Sequence, residues 1–503
     1  MNIEYIIVQA GGKGTRLFPL TKNKPKALVT VNNRPIIFHL FEQFPKAKFI
    51  IIGDYKYDVL KNYLENFASV RFVSIHANGE GNACGIRQAL SYIPENKSFM
   101  LLWSDLLLDS NIDFSALSEN DYIGLTSKFS CSWEYKDNQL NKNKTEHNGV
   151  AGFFLFKNKS ILDLLPETGS FTQWLQANNV NFEKLELQDT KETGTIEALK
   201  AVDKSLLNRC RPYNKMTFEG DKVTKEGLTN EGKDLIKREV AWYKEVSANN
   251  FSAIPTIYSF EPLVMKKIEG ENIFKAPLSD SEKKTTIEKL VEKLNELHSM
   301  GKTEQNVFDM QEDYYSKTLK RLYSIRSCIQ FANNEFININ GKSCKNVLYN
   351  PSVLENLVNK LFSEKTEFGI IHGDGTLTNT MIDKDGDIFF IDARGYFGKT
   401  PLVGDVYYDW AKLYYSVEGA FDQFNIKNFE LNITASDVTY KIANSGWEFL
   451  TDYMFSLIPN CNQFRVKLIH SIIWLSLASH CWEDYDSMCL AFYNGLYLLN
   501  ELL

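Results

Sequence analysis

The sequence predicts an α/β protein of two domains, and three observations carry that expectation. Short apolar runs alternate with amphipathic stretches over roughly the first 200 residues. Near Leu206 the alternation stops, and a mixed segment followed by a mainly helical one takes over. At 503 residues the chain is also too long for one ordinary core.

Taken in order, Tyr5–Gln9 is predicted as a strand and is followed by a Gly-rich turn. Helix is predicted for Pro35–Phe44, Tyr55–Phe67 and Ala83–Tyr92; strand is predicted for Lys48–Gly53, Val70–Ile75 and Phe99–Trp103. This alternation implies a doubly wound, Rossmann-like, mostly parallel sheet with helices on both faces. Ligands of such sheets lie beyond the carboxyl ends of the strands, where Gly11–Arg16 and Asp105 both fall. The Asn- and Lys-rich segment 136–148 is expected to be an exposed loop. A boundary is expected around Asp203–Arg211, giving domains 1–204 and 205–503. Beyond it, Lys215–Phe218, Lys222–Lys225 and Leu263–Lys266 read as strands around a helix at Glu231–Val246. From Ser279 the chain reads as helical, interrupted by one strand–turn–strand at Met381–Asp392.

Composition limits the function. Hydrophobic residues at 44% and charged residues at 24% are those of a soluble globular protein. The 56 Lys+Arg against 63 Asp+Glu leave a net charge of -7, which argues against a nucleic-acid partner or an anionic-membrane surface. A small nucleotide needs only a few local cations and stays open. The eight Cys residues are scattered with no C-x-x-C pair, as in a cytoplasmic protein without a zinc site. Tyr5-Ile6-Ile7-Val8 lacks the basic flank of a signal peptide. Runs such as Ile472–Ala478 are too short to span a bilayer, so no membrane insertion is expected. The oligomeric state stays open.

The first motif is Gly11-Gly12-Lys13-Gly14-Thr15-Arg16, followed by Pro19 and Lys24-Pro25-Lys26. Glycines after a strand let backbone N–H groups approach phosphate oxygens. Arg16 and Lys26 add the cations that a triphosphate under attack requires. With Gly11, Gly12, Gly14 and Thr15, they are candidate nucleotide-binding and catalytic residues. This stretch resembles the signature of the sugar-phosphate and phosphocholine nucleotidyltransferases, a likeness that runs from about residue 3 to 200. Gly79-Glu80-Gly81-Asn82 is similar to that family's base-binding turn, which makes Gly81 and Asn82 candidates. Trp103-Ser104-Asp105 is similar to the strand end whose Asp holds the catalytic metal, and Gly149–Phe156 to the acceptor-side strand. Glu192-Thr193-Gly194-Thr195 resembles the later D-x-G-T motif, with Glu in place of Asp. The resemblance implies attack of a phosphate monoester on the α-phosphorus of a nucleoside triphosphate, with Mg2+ held by Asp105 and Glu192. Asp105 alone could be a strand-end cap, and Glu192 a solvated acid at a helix start. The E-K-P segment usual in hexose-1-phosphate members is absent between Asp121 and Gly149, which points to a smaller phosphoalcohol.

The second motif is His372-Gly373-Asp374-Gly375-Thr376-Leu377-Thr378-Asn379 with Ile391-Asp392. It resembles the catalytic and metal-binding pattern of aminoglycoside phosphotransferases and choline/ethanolamine kinases, relatives of protein kinases. The resemblance covers about 210–503 and implies a bilobal, protein-kinase-like α+β domain. Its small lobe would run over about 205–268 and its large lobe over about 269–503. Asp374 would accept or orient the acceptor's hydroxyl proton; Asn379 and Asp392 would hold Mg2+ on the ATP phosphates. His372 would orient rather than act as base. Lys225 resembles the strand lysine on the ATP phosphates, although Lys222, Lys233 and Lys237 compete. Glu239 resembles its ion-pair partner or is a solvated helix charge, and Met265 stands where the adenine hinge should begin. Asp405 and Asp409 match acids that brace the catalytic loop. The late rings Trp410, Tyr414, Trp474, Trp482, Tyr485, Phe492, Tyr493 and Tyr497 are either helix core or, with Glu483, Asp484 and Asp486, a binding surface for an ammonium group.

A kinase of this type makes a phosphate monoester, and a nucleotidyltransferase of this type consumes one. The combined expectation is phosphorylation of a small alcohol by ATP, then condensation of the phosphoalcohol with CTP or another nucleoside triphosphate. By analogy the product would be an activated alcohol such as CDP-choline for decorating a surface glycan. The alternatives are a sugar kinase joined to a sugar-1-phosphate nucleotidyltransferase, and a nucleotidyltransferase with a non-catalytic kinase-like regulatory module.

Overall fold

A computed structural model of the chain describes residues 3–77, 81–203 and 214–503. The chain forms two compact units. One comprises Met1–Leu207 with Trp482–Asp486, the other Asn208–Cys481 with Ser487–Leu503. The expected boundary between residues 204 and 205 lies outside the described residues, as do Gly79 and Glu80 of the expected base-binding turn.

The first unit is built on a nine-stranded sheet. Its main path runs Gln139–Asn141, Glu134–Lys136, Gly149–Phe156, Phe99–Trp103, Tyr5–Gln9, Lys48–Gly53, Arg71–His76. Tyr122–Thr126 joins Gly149–Phe156 off that path and pairs in parallel with Glu183–Glu186. Ile6, Ile7 and Val8 are fully buried, as a strand covered on both faces requires; each contributes about 1.5–3 kcal/mol by burial. Tyr5–Gln9 pairs in parallel with Lys48–Gly53 and Phe99–Trp103, and Gln9 lies level with Trp103. The loops after both strands therefore open at the same edge. Gly149–Phe156 departs from the parallel pattern and runs antiparallel to Phe99–Trp103. Its buried, continuously apolar sequence carries no period from which direction could be read.

Segment 136–148 is not simply a loop. Glu134–Lys136 and Gln139–Asn141 form a hairpin, with Asp137 at φ 51° and Asn138 at φ 60°. Two positive φ values suit a tight two-residue turn, and Asp-Asn tolerates them. Tyr135 and Leu140 are buried, so the hairpin is anchored in the core.

In the second unit, Asn214–Glu219, Lys222–Gly227, Leu263–Lys266 and Ile257–Phe260 make an antiparallel sheet in that order. Helix Asn230–Ala248, capped by Thr229, follows the second strand. Helix Asp280–His298 opens with a Ser279/Glu282 capping box. Thr380–Asp383 and Ile388–Phe390 pair as expected and add Gly270–Asn272 as a third strand. The helical part holds further strands: Phe336–Ile339, Lys342–Lys345, Phe429–Ile433 and Asp437–Ile442 form one sheet, and Phe368–Ile370 pairs with Val403–Asp405. Runs of three to six residues are too short to separate from helix ends by periodicity. Among the described residues no helix is long and apolar enough to cross a membrane.

The late rings divide between core and the first unit. Trp410, Tyr414, Trp474, Phe492 and Tyr493 are buried. Within the first unit, Trp482 packs against Phe38 and Phe67, at ring distances of 5.7 and 5.4 Å. Two of the three acids expected to attract a ligand's ammonium are occupied by a lysine of the same unit: Lys24 Nζ donates to Asp484 at 2.7 Å and Asp486 at 2.9 Å. Burial disfavours the lysine's charge, but the two carboxylates hold it protonated.

Candidate active sites

At the first site, the Gly-rich loop leaves strand Tyr5–Gln9 and closes in a short 3-10 turn at Thr15–Leu17. Gly14 has φ +61°, and a Cβ there would stand 2.9 Å from Lys26 Cβ and Thr21 Cγ2. Both the backbone angle and the space exclude a side chain. Lys26 heads the next short turn and donates to Asp105 Oδ2 at 2.6 Å. Arg16, largely exposed, reaches Glu192 Oε1 at 3.4 Å. Thr193 donates twice to the backbone carbonyl of Asp105, from N at 2.9 Å and Oγ1 at 2.8 Å. That stitch brings the two acids together. A Cβ on Gly194 would fall 2.1 Å from Glu192 Oε1 and 2.9 Å from Asp105 Oδ2.

Burial, then the nearby Asp105 carboxylate, push the Glu192 carboxyl above its ordinary range; Arg16 and Lys26 oppose them. Two carboxylates crowded in this way fit a divalent cation. Among the described residues no group of three or more His, Cys, Asp and Glu is arranged to hold a metal alone. Mg2+ commonly takes one or two carboxylates and completes its shell with phosphate oxygens and water.

Gly81 has φ +86°, and a Cβ there would meet Gly169 O at 2.1 Å. Asn82 Oδ1 accepts from Phe171 N at 2.8 Å, so its side chain ties the turn to the loop before helix Phe171–Ala177. Gln9 Nε2 donates to the Asn82 carbonyl at 3.3 Å. Gln9 and Thr193 shape the site and were not among the candidate residues read from sequence. Gln9, a polar residue ending an otherwise apolar strand, was the available signal.

At the second site, Lys225 donates to Glu239 Oε2 at 2.6 Å and also pairs with Asp392. Burial opposes its charge and the two acids restore it, leaving the ammonium protonated. Glu239 is buried on helix Asn230–Ala248, whereas the competing Lys222, Lys233 and Lys237 are exposed. Met265 is buried on strand Leu263–Lys266, level with Val223 two residues from Lys225. Asn379 Nδ2 donates to Asp374 Oδ2 at 2.8 Å. Ile391 N donates to Asn379 O at 3.0 Å, bringing Asp392 beside that pair.

A buried brace underlies the catalytic loop. Asp409 accepts from His372 N at 2.8 Å, Gly373 N at 2.7 Å and His298 Nε2 at 3.0 Å. Burial pushes its carboxyl up, but the hydrogen bonds from His298 and His372 help to hold it below the ordinary range. Burial lowers the His372 imidazole. In that neutral ring, Nε2–H donates to Ile391 O at 3.0 Å and Nδ1 accepts from Asp374 N at 3.2 Å. Asp405 caps helix Val406–Val417 and pairs with buried Arg465 at 2.7 Å. Sequence reasoning missed Lys412, whose Nζ lies 2.8 Å from Asp374 Oδ1, and Arg394, two residues past Asp392. Lys412 lies three residues past Asp409, on the same helical face, which was the signal available.

A Gly-rich loop with paired acids and a kinase-type loop on a buried brace are thus the two site features of the chain. Residues 5–121 match the nucleotidyl transferase family and residues 228–430 the phosphotransferase enzyme family, so the chain carries a domain of each. It is 31% identical over 112 residues to the UTP–glucose-1-phosphate uridylyltransferase of Haloferax volcanii, covering 21% of this chain and 45% of that one. Over 120 residues it is 31% identical to the D-glycero-alpha-D-manno-heptose 1-phosphate guanylyltransferase of Campylobacter jejuni, covering 23% and 52%. Over 109 residues it is 31% identical to the CTP:phosphoglutamine cytidylyltransferase of the same organism, covering 20% and 43%. The chain thus spans about half the length of these curated relatives. Among solved structures, it is similar to the inositol-1-phosphate CTP transferase from T. maritima, with TM-score 0.34, 18% identity, and coverage of 39% of this chain and 91% of that one.

Proposed function

We propose that the chain performs two consecutive transfers: ATP phosphorylates a small alcohol in the second unit, and the first unit condenses the phosphoalcohol with a nucleoside triphosphate. The observation that carries this reading is the presence, in one chain, of two separate lysine–carboxylate constellations. One is Lys26–Asp105–Glu192; the other is Lys225–Asp392 with Asn379–Asp374. The first suits displacement of pyrophosphate and the second phosphorylation of a hydroxyl.

In the second unit, Asp374 receives the hydroxyl proton as the oxygen attacks the γ-phosphorus and ADP leaves with the bridging oxygen. Lys225, held by Glu239, neutralises charge on the ATP phosphates. In the first unit, the phosphoalcohol oxygen attacks the α-phosphorus, and Arg16 and Lys26 stabilise the charge that accumulates. Mg2+ held by Asp105 and Glu192, and by Asn379 and Asp392, would supply further charge neutralisation. CTP is the proposed nucleotide, in line with the CTP-dependent relative at 31% identity. The missing E-K-P segment favours a small acceptor over a hexose phosphate. The uridylyltransferase and guanylyltransferase relatives support a sugar phosphate as the second reading. The amino-alcohol expectation, with CDP-choline as product, is left with the kinase-family resemblance, because Lys24 occupies Asp484 and Asp486.

The test is to incubate the full chain with ATP, each nucleoside triphosphate in turn and a panel of alcohols and sugars, following pyrophosphate release and product mass. Formation of a nucleoside-diphosphate alcohol only when ATP and the free alcohol are both present supports the reading. Pyrophosphate release from a preformed phosphate ester, with no phosphorylation of any alcohol, would reduce the second unit to a regulatory module.

A further inference from the structure

The second unit gathers four cationic side chains near the loop that bears Asp374. After helix Val307–Met310 the chain winds one π-type stretch, Gln311–Ser316, before resuming as helix Lys317–Ile325. Such irregularities occur disproportionately at functional sites. Here the stretch carries Asp313, whose buried carboxylate pairs with Lys317 and accepts from Arg394 Nη2 at 2.7 Å. One turn on from Lys317, Arg321 Nη1 donates to Ser476 Oγ at 2.5 Å. Arg394 lies 4.2 Å from the Tyr396 ring centre and 5.1 Å from that of Tyr408. A Cβ on Gly373 would stand 2.9 Å from Arg394 Cβ, so this arginine packs against the residue preceding Asp374. Lys412 pairs with Asp374 and lies 6.0 Å from the Tyr408 ring and 5.0 Å from the Tyr415 ring.

Lys317, Arg321, Arg394 and Lys412 thus cluster about Tyr396 and Tyr408, and among the described residues the acids paired with them are Asp313 and Asp374. Nearby His470 adds no charge, because burial and Lys412 push its imidazole down to about 3. Burial, followed by the Arg394 charge, lowers the Lys317 ammonium to about 8. The Tyr415 hydroxyl is buried without a hydrogen-bond partner, and Asp374 and Tyr408 are among the groups that act on it electrostatically. A group of partly buried cations next to an unsatisfied buried hydroxyl is the composition of an anion site. Lys412 and Arg394 tie it to the Asp374 loop, and Asp374 is the group proposed to face the acceptor's hydroxyl.

Resting on the two-transfer reading, we propose that the alcohol phosphorylated in the second unit is itself an anion, carrying a carboxylate or phosphate that Arg321, Lys317 and Lys412 bind. A planar carboxylate or a phosphate suits the guanidinium fork of Arg321. A quaternary or primary ammonium would be repelled by the same four cations.

The experiment measures ATP-dependent phosphorylation by the full chain for four acceptors: glycerate, glycerol 3-phosphate, glycerol and choline. At least one anionic acceptor is expected to exceed glycerol and choline by about a hundredfold in kcat/KM; the first two distinguish carboxylate from phosphate. Arg321→Met should raise the KM for that acceptor by about tenfold to a hundredfold, the size of one lost charge-assisted hydrogen bond. The KM for ATP should not follow it, and Arg321→Lys should restore part of the loss. Should Arg321→Met fold poorly, Lys317→Met gives the same acceptor-specific KM test. Preference for choline or neutral glycerol overturns the anionic acceptor and leaves the two-transfer reading standing. Phosphorylation of none of the four or of the wider panel, in a chain that still releases pyrophosphate from a phosphate ester, overturns both.

Discussion

The two candidate sites solve the problem of phosphate charge in different ways. In the first unit, cations and acids sit on loops at strand ends: Arg16 is 68% exposed at its side chain, and Lys26 rests on Asp105. In the second, Lys225 is as buried as Lys26, and the difference is that the loop bearing Asp374 hangs from the fully buried Asp409. The difference follows from the chemistry proposed for each. Attack by a phosphate oxygen already lacking its proton asks only for positioning and charge neutralisation. Attack by a hydroxyl also asks for a proton acceptor in a fixed orientation, which a buried hydrogen-bonded brace provides.

The largest expected effect tests whether the two sites are separate. Asp392→Ala should lower ATP-dependent phosphorylation about a thousandfold or more, while conversion of added phosphoalcohol continues. Asp105→Ala should do the reverse. Assaying both reactions on each variant settles it, and loss of both activities in one folded variant would contradict separate sites. A step smaller, Lys26→Ala should reduce kcat for pyrophosphate release by about 10²–10³. Arg16→Ala should act more on the KM for the nucleoside triphosphate, since its exposed side chain is held only at 3.4 Å from Glu192. Equal kcat losses in the two variants would mean that exposure does not separate their roles.

Asp409→Asn probes the brace. The amide's NH2 would face backbone N–H donors, leaving buried groups unpaired at a cost of about 3–5 kcal/mol. Phosphorylation should fall about tenfold to a hundredfold. In a denaturant titration, the transition that removes phosphorylation should move to lower concentration while the one that removes pyrophosphate release stays. A shift of both transitions together would show that the units do not unfold independently.

These contrasts were legible to different degrees in the sequence. Both phosphate motifs are local: glycine positions, a lysine after proline, and His372–Asn379 all lie within short windows whose chemistry depends on spacing. The central strands announced themselves through apolar runs, and Tyr5–Gln9, Lys48–Gly53 and Phe99–Trp103 occur as predicted. What depends on distant partners was hidden. Lys24, two residues before Lys26, carried no role in the sequence, and its charge is matched by Asp484 and Asp486, some 460 residues away. The same pairing changes the meaning of the late acids. The cation group of Lys317, Arg321, Arg394 and Lys412 comes from three separated segments, and no window of sequence holds more than two of its members. Strand direction at Gly149–Phe156 was hidden for another reason, since burial on both faces erases the alternation that would report it.

The smallest effect concerns the stability of the first site without metal. Glu192 is pushed above its ordinary value of 4.5, first by burial and then by Asp105. A carboxyl raised by folding favours the folded state below its unfolded pKa, and that contribution is lost as pH rises through the folded pKa. At neutral pH, with metal chelated, ionised Glu192 is therefore a cost to the first unit. Glu192→Gln removes the charge while keeping the size and should raise that unit's melting temperature by a few degrees at pH 7. The difference should shrink towards zero as pH falls below 4.5, where both side chains are neutral. Adding Mg2+ with a non-hydrolysable nucleoside triphosphate should reverse the ranking, stabilising the wild type more than the variant. Thermal melts of wild type and variant at pH 7 and pH 4, with and without the metal complex, give all eight values. A variant that melts lower than the wild type at pH 7 in chelator would show that the two acids do not repel one another, and the case for a cation between them would go with it.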